Sequence, residues 1–104
     1  MIFTEGIMFR KYWAVIGFDY ESGCALMDKI EQTCGKEVRH RYRRHEHMAF
    51  TEFTDGTVLS WMPDEATCVK RVGRLWCNKE KDKRMIDRAV RNFYMGKYED
   101  IVWV

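Results

Sequence analysis

The densest chemistry in this chain is cationic. From Lys36 to His47 the sequence reads K-E-V-R-H-R-Y-R-R-H-E-H, placing Arg39, Arg41, Arg43 and Arg44 close together. A guanidinium group meets phosphate as a planar fork, and an interleaved ring such as Tyr42 can stack on a base. Read as a strand, the run sends Arg39, Arg41 and Arg43 to one side and His40, Tyr42 and Arg44 to the other. A solvated edge strand guarded by charge has the same composition. A second cationic group has helical spacing. Lys81, Arg84, Arg88 and Arg91 share one side of a helix, partly offset by Glu80 and Asp87.

Other constellations carry less. His45 and His47 flank Glu46 and would share one side of a strand, which can begin a metal site. No third ligand is indicated and H-E-x-x-H is absent, so no metal is expected. The four cysteines, Cys24, Cys34, Cys68 and Cys77, are widely spaced with no C-x-x-C, and read as free thiols. The stretch GFDYESGC has the strand–loop–helix layout of a phosphate-binding loop. With the later D-G-T and basic segments it faintly resembles viral packaging ATPases. It lacks G-K-[ST], however, and Asp19 and Glu21 would repel phosphate, so nucleotide hydrolysis is not expected. There is no G-x-S-x-G, and Pro63-Asp64 has no Asp/Glu-x-Lys after it. The reading is therefore non-enzymatic, with no cofactor.

The net charge of +2 hides a segregation. Residues 36–47 carry +3 and residues 69–91 carry +6, while the rest carries −7. A chain divided this way can present separate basic and acidic surfaces once folded. No stretch approaches the roughly 20 apolar residues that cross a bilayer, and MIFTEGIMFRKYW is a poor export signal. A cytoplasmic location and no membrane partner are expected.

These residues need elements to position them. The 104 residues suit a single domain spanning 1–104. Residues 2–5 and 11–18 read as strands. Leu26, Met27, Ile30 and Cys34 form the inner stripe of a helix over about 22–34, capped by Asp19 or Ser22 and stopped by Gly35. Asp28, Lys29, Glu31 and Gln32 are expected to face outward. Asp55-Gly56 between HMAFTEF and TVLSWM predicts a hairpin with a two-residue type I′ turn. That turn sets Phe53 opposite Val58, Glu52 opposite Leu59, Thr51 opposite Ser60 and Phe50 opposite Trp61. Both faces of that hairpin are partly apolar, so cover on both sides is expected. A short helix over 65–72, or a strand over 69–76, follows Pro63. Met85, Ile86, Ala89, Val90 and Phe93 make the stripe of a second helix over about 79–95, ending at Gly96. The apolar Ile101–Val104 belongs in the middle of a sheet or in a homodimer contact. The fold class is α+β: a mixed, mainly antiparallel sheet of about four to six strands covered by two main helices.

The leading functional expectation is a small non-catalytic protein contacting nucleic acid through Arg39, Arg41, Tyr42, Arg43, Arg44, Lys81, Arg84, Arg88 and Arg91. The alternative is a protein-binding inhibitor, aimed at a host nuclease or another nucleic-acid-processing protein, acting through Asp19, Glu21, Asp28 and Glu31. The size and charge segregation resemble small accessory proteins of phages and mobile elements. Trp61, Trp76 or Trp103 could anchor such an interface.

Overall fold

A computed structural model describes residues 13–63, 73–94 and 102–103. Its elements are β1 (Trp13–Phe18), α1 (Tyr20–Thr33), β2 (Val38–Arg44), β3 (Met48–Phe53), β4 (Val58–Pro63), β5 (Gly73–Cys77), a 3₁₀ turn (Glu80–Asp82), α2 (Lys83–Phe93) and β6 (Val102–Trp103). The strands form one six-stranded sheet in the order β2-β3-β4-β5-β1-β6. Every strand pairing among the described residues is antiparallel. The class is α+β, as the patterns predict. The strand expected over 2–5, the helix expected over 65–72 and Gly96 lie outside the described residues. β6 pairs with β1 at one end of the order rather than in the middle of the sheet.

Local signals explain both helices. Asp19 caps α1, its Oδ1 accepting from the Ser22 N–H at 2.7 Å. Gly35, at φ +77°, follows the last turn in the left-handed region, where a side chain would be strained. Leu26, Met27 and Ile30 from α1 meet Ile86, Ala89 and Val90 from α2 in one core. Both helices pack on the sheet face that carries Ala49, Thr51, Phe53, Leu59, Trp61, Leu75 and Cys77, all of them buried.

The hairpin departs from the predicted register by one residue. Glu52, not Phe53, stands opposite Val58, and Ala49, not Phe50, stands opposite Trp61. The connection is a three-residue loop. The Phe53 N–H donates to the Thr57 carbonyl at 2.8 Å, and the Gly56 N–H donates to the Phe53 carbonyl at 3.0 Å. Gly56 takes φ +89°, the single left-handed position this loop type needs, so Asp55 is spared a positive φ. Tertiary contacts hold the loop in this form. Thr57 is fully buried and donates its hydroxyl to Asp82 at 3.0 Å, while Asn78 accepts from the Val58 N–H at 2.7 Å.

A one-residue slip turns every side chain over. Ala49 rather than Phe50 therefore shares the buried face with Leu59 and Trp61, and Phe50 lies on the half-buried face with Ser60. Along β3, β4 and β5 the residues facing away from the helices are half-buried. Both faces are thus at least partly covered, the helix side fully and the other side by half.

Candidate nucleic-acid interface

β2 carries the arginine-rich run at one end of the sheet order, and its parity distributes the cations. Arg41 stands opposite Thr51 and Arg43 opposite Ala49, on the helix side. His40, Tyr42 and Arg44 stand opposite Glu52, Phe50 and Met48, on the other side. A bulge between Val38 and His40 takes up Arg39, which is exposed.

The helix-side arginines are committed internally. Arg41 forms a two-point ion pair with Glu31, through Nη2 to Oε1 and through Nε to Oε2, the latter at 3.2 Å. Arg43 Nη2 reaches Glu31 Oε2 at 3.2 Å and Asp28 Oδ1 at 3.3 Å. Its Nη1 donates to the carbonyls of Tyr42 and Phe50 at 2.9 Å each. Thr51 adds a 2.5 Å hydrogen bond to Glu31 Oε2. Glu31 was expected to face outward, yet its side chain is only 6 % exposed. Burial pushes its carboxyl up, but the hydrogen bonds from Arg41 and Thr51 and the two positive charges outweigh that and hold it below the ordinary range.

The second basic group lies in the helical layer, across α1 from β2. α1 turns Asp28 and Glu31 toward β2, while Ile30, Thr33 and Cys34 line a cleft with Met85, Arg88 and Ala89 of α2. Lys81, Arg84, Arg88 and Arg91 are all exposed. Arg91 Nε donates to Asp87 at 2.8 Å, and Lys81, Arg84 and Arg88 make no ion pair among the described residues. The two basic stretches therefore do not merge into one surface. α1 stands between them, and its acids neutralise the nearer side of β2.

The acidic residues are also largely occupied. Asp19 is a helix cap, and Asp28 and Glu31 hold Arg43. Of the four acids expected in an acidic face, Glu21 alone keeps an exposed carboxylate with no partner among the described residues. His45 and His47 fall in a turn rather than on a strand, with Glu46 between them at φ +60°. His45 packs edge-on to Tyr20 at 5.0 Å and contacts Glu46 at 3.3 Å. Among the described residues no three His, Cys, Asp or Glu side chains converge as metal ligands. The strand–loop–helix layout at GFDYESGC has no room for a phosphate loop, because Asp19 alone separates β1 from α1.

What the fold does assemble is a row of rings on the sheet face away from the helices. The register places Tyr42 opposite Phe50, Phe50 opposite Ser60, and Ser60 opposite Trp76. The Tyr42 and Phe50 rings are stacked, with centroids 5.4 Å apart and planes 18° apart. His40 lies 5.5 Å from Phe50, and the Arg74 guanidinium sits 5.8 Å from the Trp76 ring. Arg44, exposed, follows Tyr42 along β2. Glu52, opposite His40, places an acid on this face. The Tyr42–Phe50 pair was missed because the hairpin pattern says nothing about how β2 registers on β3, the pairing that sets it. No helix among the described residues is long and apolar enough to cross a membrane. Compared with known protein families, with characterised proteins and with solved structures, the chain matches none.

Proposed function

We propose that the protein is a non-catalytic binder of nucleic acid, and that it binds through the sheet face carrying Tyr42 and Phe50, with the exposed Arg44 beside the rings. One observation carries this reading: the near-parallel stack of Tyr42 on Phe50 across β2 and β3. Bases present flat π-faces, and planar side chains on a sheet are suited to receive them, at about 1–3 kcal/mol per stacked base. Arginine beside the rings supplies the countercharge for phosphate. Arg41 and Arg43 serve structure rather than ligand in this reading, and the exposed cations of α2 lie on the opposite layer.

The test is fluorescence anisotropy with labelled oligonucleotides at low and moderate salt. Wild type should bind at low salt, and Tyr42→Ala should weaken binding by about 5- to 100-fold. The double substitution of Arg84 and Arg88 by Ala should leave affinity within about twofold, the scatter expected for groups away from the contact. Loss of binding in the α2 variant, with Tyr42→Ala unaffected, would move the site to the helical layer. No binding to any nucleic acid at low salt would end the proposal.

A further inference from the structure

We infer that the cleft between α1 and α2 binds a small amphipathic anion, an alkyl carboxylate, with its chain between the helices and its head group against Lys29 and Arg88. This site is independent of the proposed nucleic-acid face, from which the sheet separates it. Two adjoining hollows lie between the helices and share Asn92 and Phe93. One, of about 210 Å³, has Ile30, Cys34, Met85 and Ala89 as apolar walls. The other, of about 420 Å³, adds Ala25 and Leu26 of α1. Taken together they have the size and character of a small-molecule site, mostly apolar with a few placed polar groups.

The charge of the lining selects the ligand. Each hollow is lined by one cation, Arg88 in the first and Lys29 in the second, and among the described residues neither is lined by a carboxylate. Both cations are exposed and make no ion pair among the described residues. The Lys29 ammonium lies 5.4 Å from the centroid of Phe93, the ring that both hollows share. The neighbouring acids are turned elsewhere: Asp28 and Glu31 hold Arg43, and Asp87 accepts from Arg91. An apolar chain gains by leaving water here, and a carboxylate at its end gains a charge-assisted hydrogen bond that a neutral or cationic head group does not.

The experiment titrates the full chain with octanoate, decanoate, octan-1-ol and octylammonium, each below its micellar concentration. Backbone amide shifts by NMR read binding, and peptide mapping reads iodoacetamide alkylation of each cysteine. Octanoate should bind at least about fivefold more tightly than octan-1-ol, with octylammonium weakest. Decanoate should bind about 4- to 16-fold more tightly than octanoate, because it buries two more CH₂ groups in part or in full. Saturating decanoate should slow alkylation of Cys34 at least about fivefold, and leave unchanged that of Cys24, which lines neither hollow. Lys29→Gln combined with Arg88→Gln should abolish the preference for octanoate while keeping octan-1-ol affinity within about twofold. Tyr42→Ala should bind decanoate as wild type does, so the cleft and the nucleic-acid face are tested separately. Absence of decanoate binding, equal affinity for the three head groups, or an unprotected Cys34 would overturn the assignment. Protection of Cys34 that grows with protein concentration without ligand, alongside a dimer in sedimentation, would overturn it in favour of a second copy in the cleft.

Discussion

Arg43 on β2 is bound to Glu31 on α1, its Nη2 donating to Oε2 at 3.2 Å while Nη1 caps the carbonyls of Tyr42 and Phe50. This contact ties the helix to β2 and β3 and neutralises the Arg43 charge within the fold. Glu31 also accepts from Arg41 and Thr51, so one carboxylate organises three side chains. Glu31→Gln should destabilise the fold by about 1–3 kcal/mol, the scale of a lost hydrogen bond to a charged group. Thermal melts would show it, at about 4–8 °C per kcal/mol for a domain near this size. An unchanged melt would mean that these ion pairs contribute nothing net.

Stability should form a plateau bounded on both sides of neutral pH. Lys36 donates to Asp55 at 2.5 Å, and with the Thr57 N–H it holds that carboxyl well below its usual range; Glu31 is lowered as well. Groups lowered in the folded state stabilise it above their unfolded values near 4, and that contribution disappears as pH falls through the folded values. On the alkaline side, burial raises Cys77 to about 11 and Tyr20 to about 12. The unfolded chain then loses those protons first, so stability should decline above about pH 8.5. Urea midpoints measured from pH 3 to 10 check both arms. The combined Glu31→Gln and Asp55→Asn variant should flatten the acid arm.

Gly23 and Gly73 grip the Trp61 indole from α1 and β5. A Cβ on Gly23 would come within 2.4 Å of Trp61 Cδ1, and one on Gly73 within 2.4 Å of Cε2 and Cζ2. Trp61 is fully buried and its Nε1 donates to the Phe18 carbonyl at 3.0 Å, so it has little room to retreat. Either glycine changed to Ala should cost about 1–3 kcal/mol through overpacking. Helix propensity alone would favour Ala at Gly23, so a destabilised G23A in urea titration isolates the steric effect.

Lys36 bridges Asp55 and the mostly buried Asp82, which it reaches at 3.5 Å. Asp82 also accepts from the buried Thr57 hydroxyl at 3.0 Å. Lys36→Met should therefore destabilise by about 1–3 kcal/mol, because it leaves a largely buried carboxylate short of its cation. In a double-mutant cycle with Asp82→Asn the two losses should not add, since the second change removes the charge that the first leaves unpaired. Strict additivity would show that the pair is not coupled.

Cys77 is 1 % exposed, and burial raises its thiol. At pH 8 the native protein should alkylate there at least about tenfold more slowly than the urea-unfolded chain, because the thiolate is the nucleophile. Peptide mapping after iodoacetamide treatment reads this site by site. Equal rates would place Cys77 at the surface.

Much of the architecture could be read locally. Both helices, the Asp19 cap, the Gly35 stop and the position of the hairpin follow from spacings of a few residues, because capping and helical stripes are short-range effects. Glu31 and the hairpin register could not be read that way. Periodicity put Glu31 on the solvent side of α1, yet the opposing Arg41 and Arg43 draw it against the sheet.

The amino-acid order alone thus determined an α+β chain with a dense cationic run, strand or loop, and a cationic helix, since composition and periodicity report what each segment is. Tertiary structure decided which way each side chain faces. Thr57 meeting Asp82 and Asn78 holding Val58 select a three-residue loop over a two-residue one. In a strand of period two, that single step puts Ala49 rather than Phe50 on the face with Leu59 and Trp61.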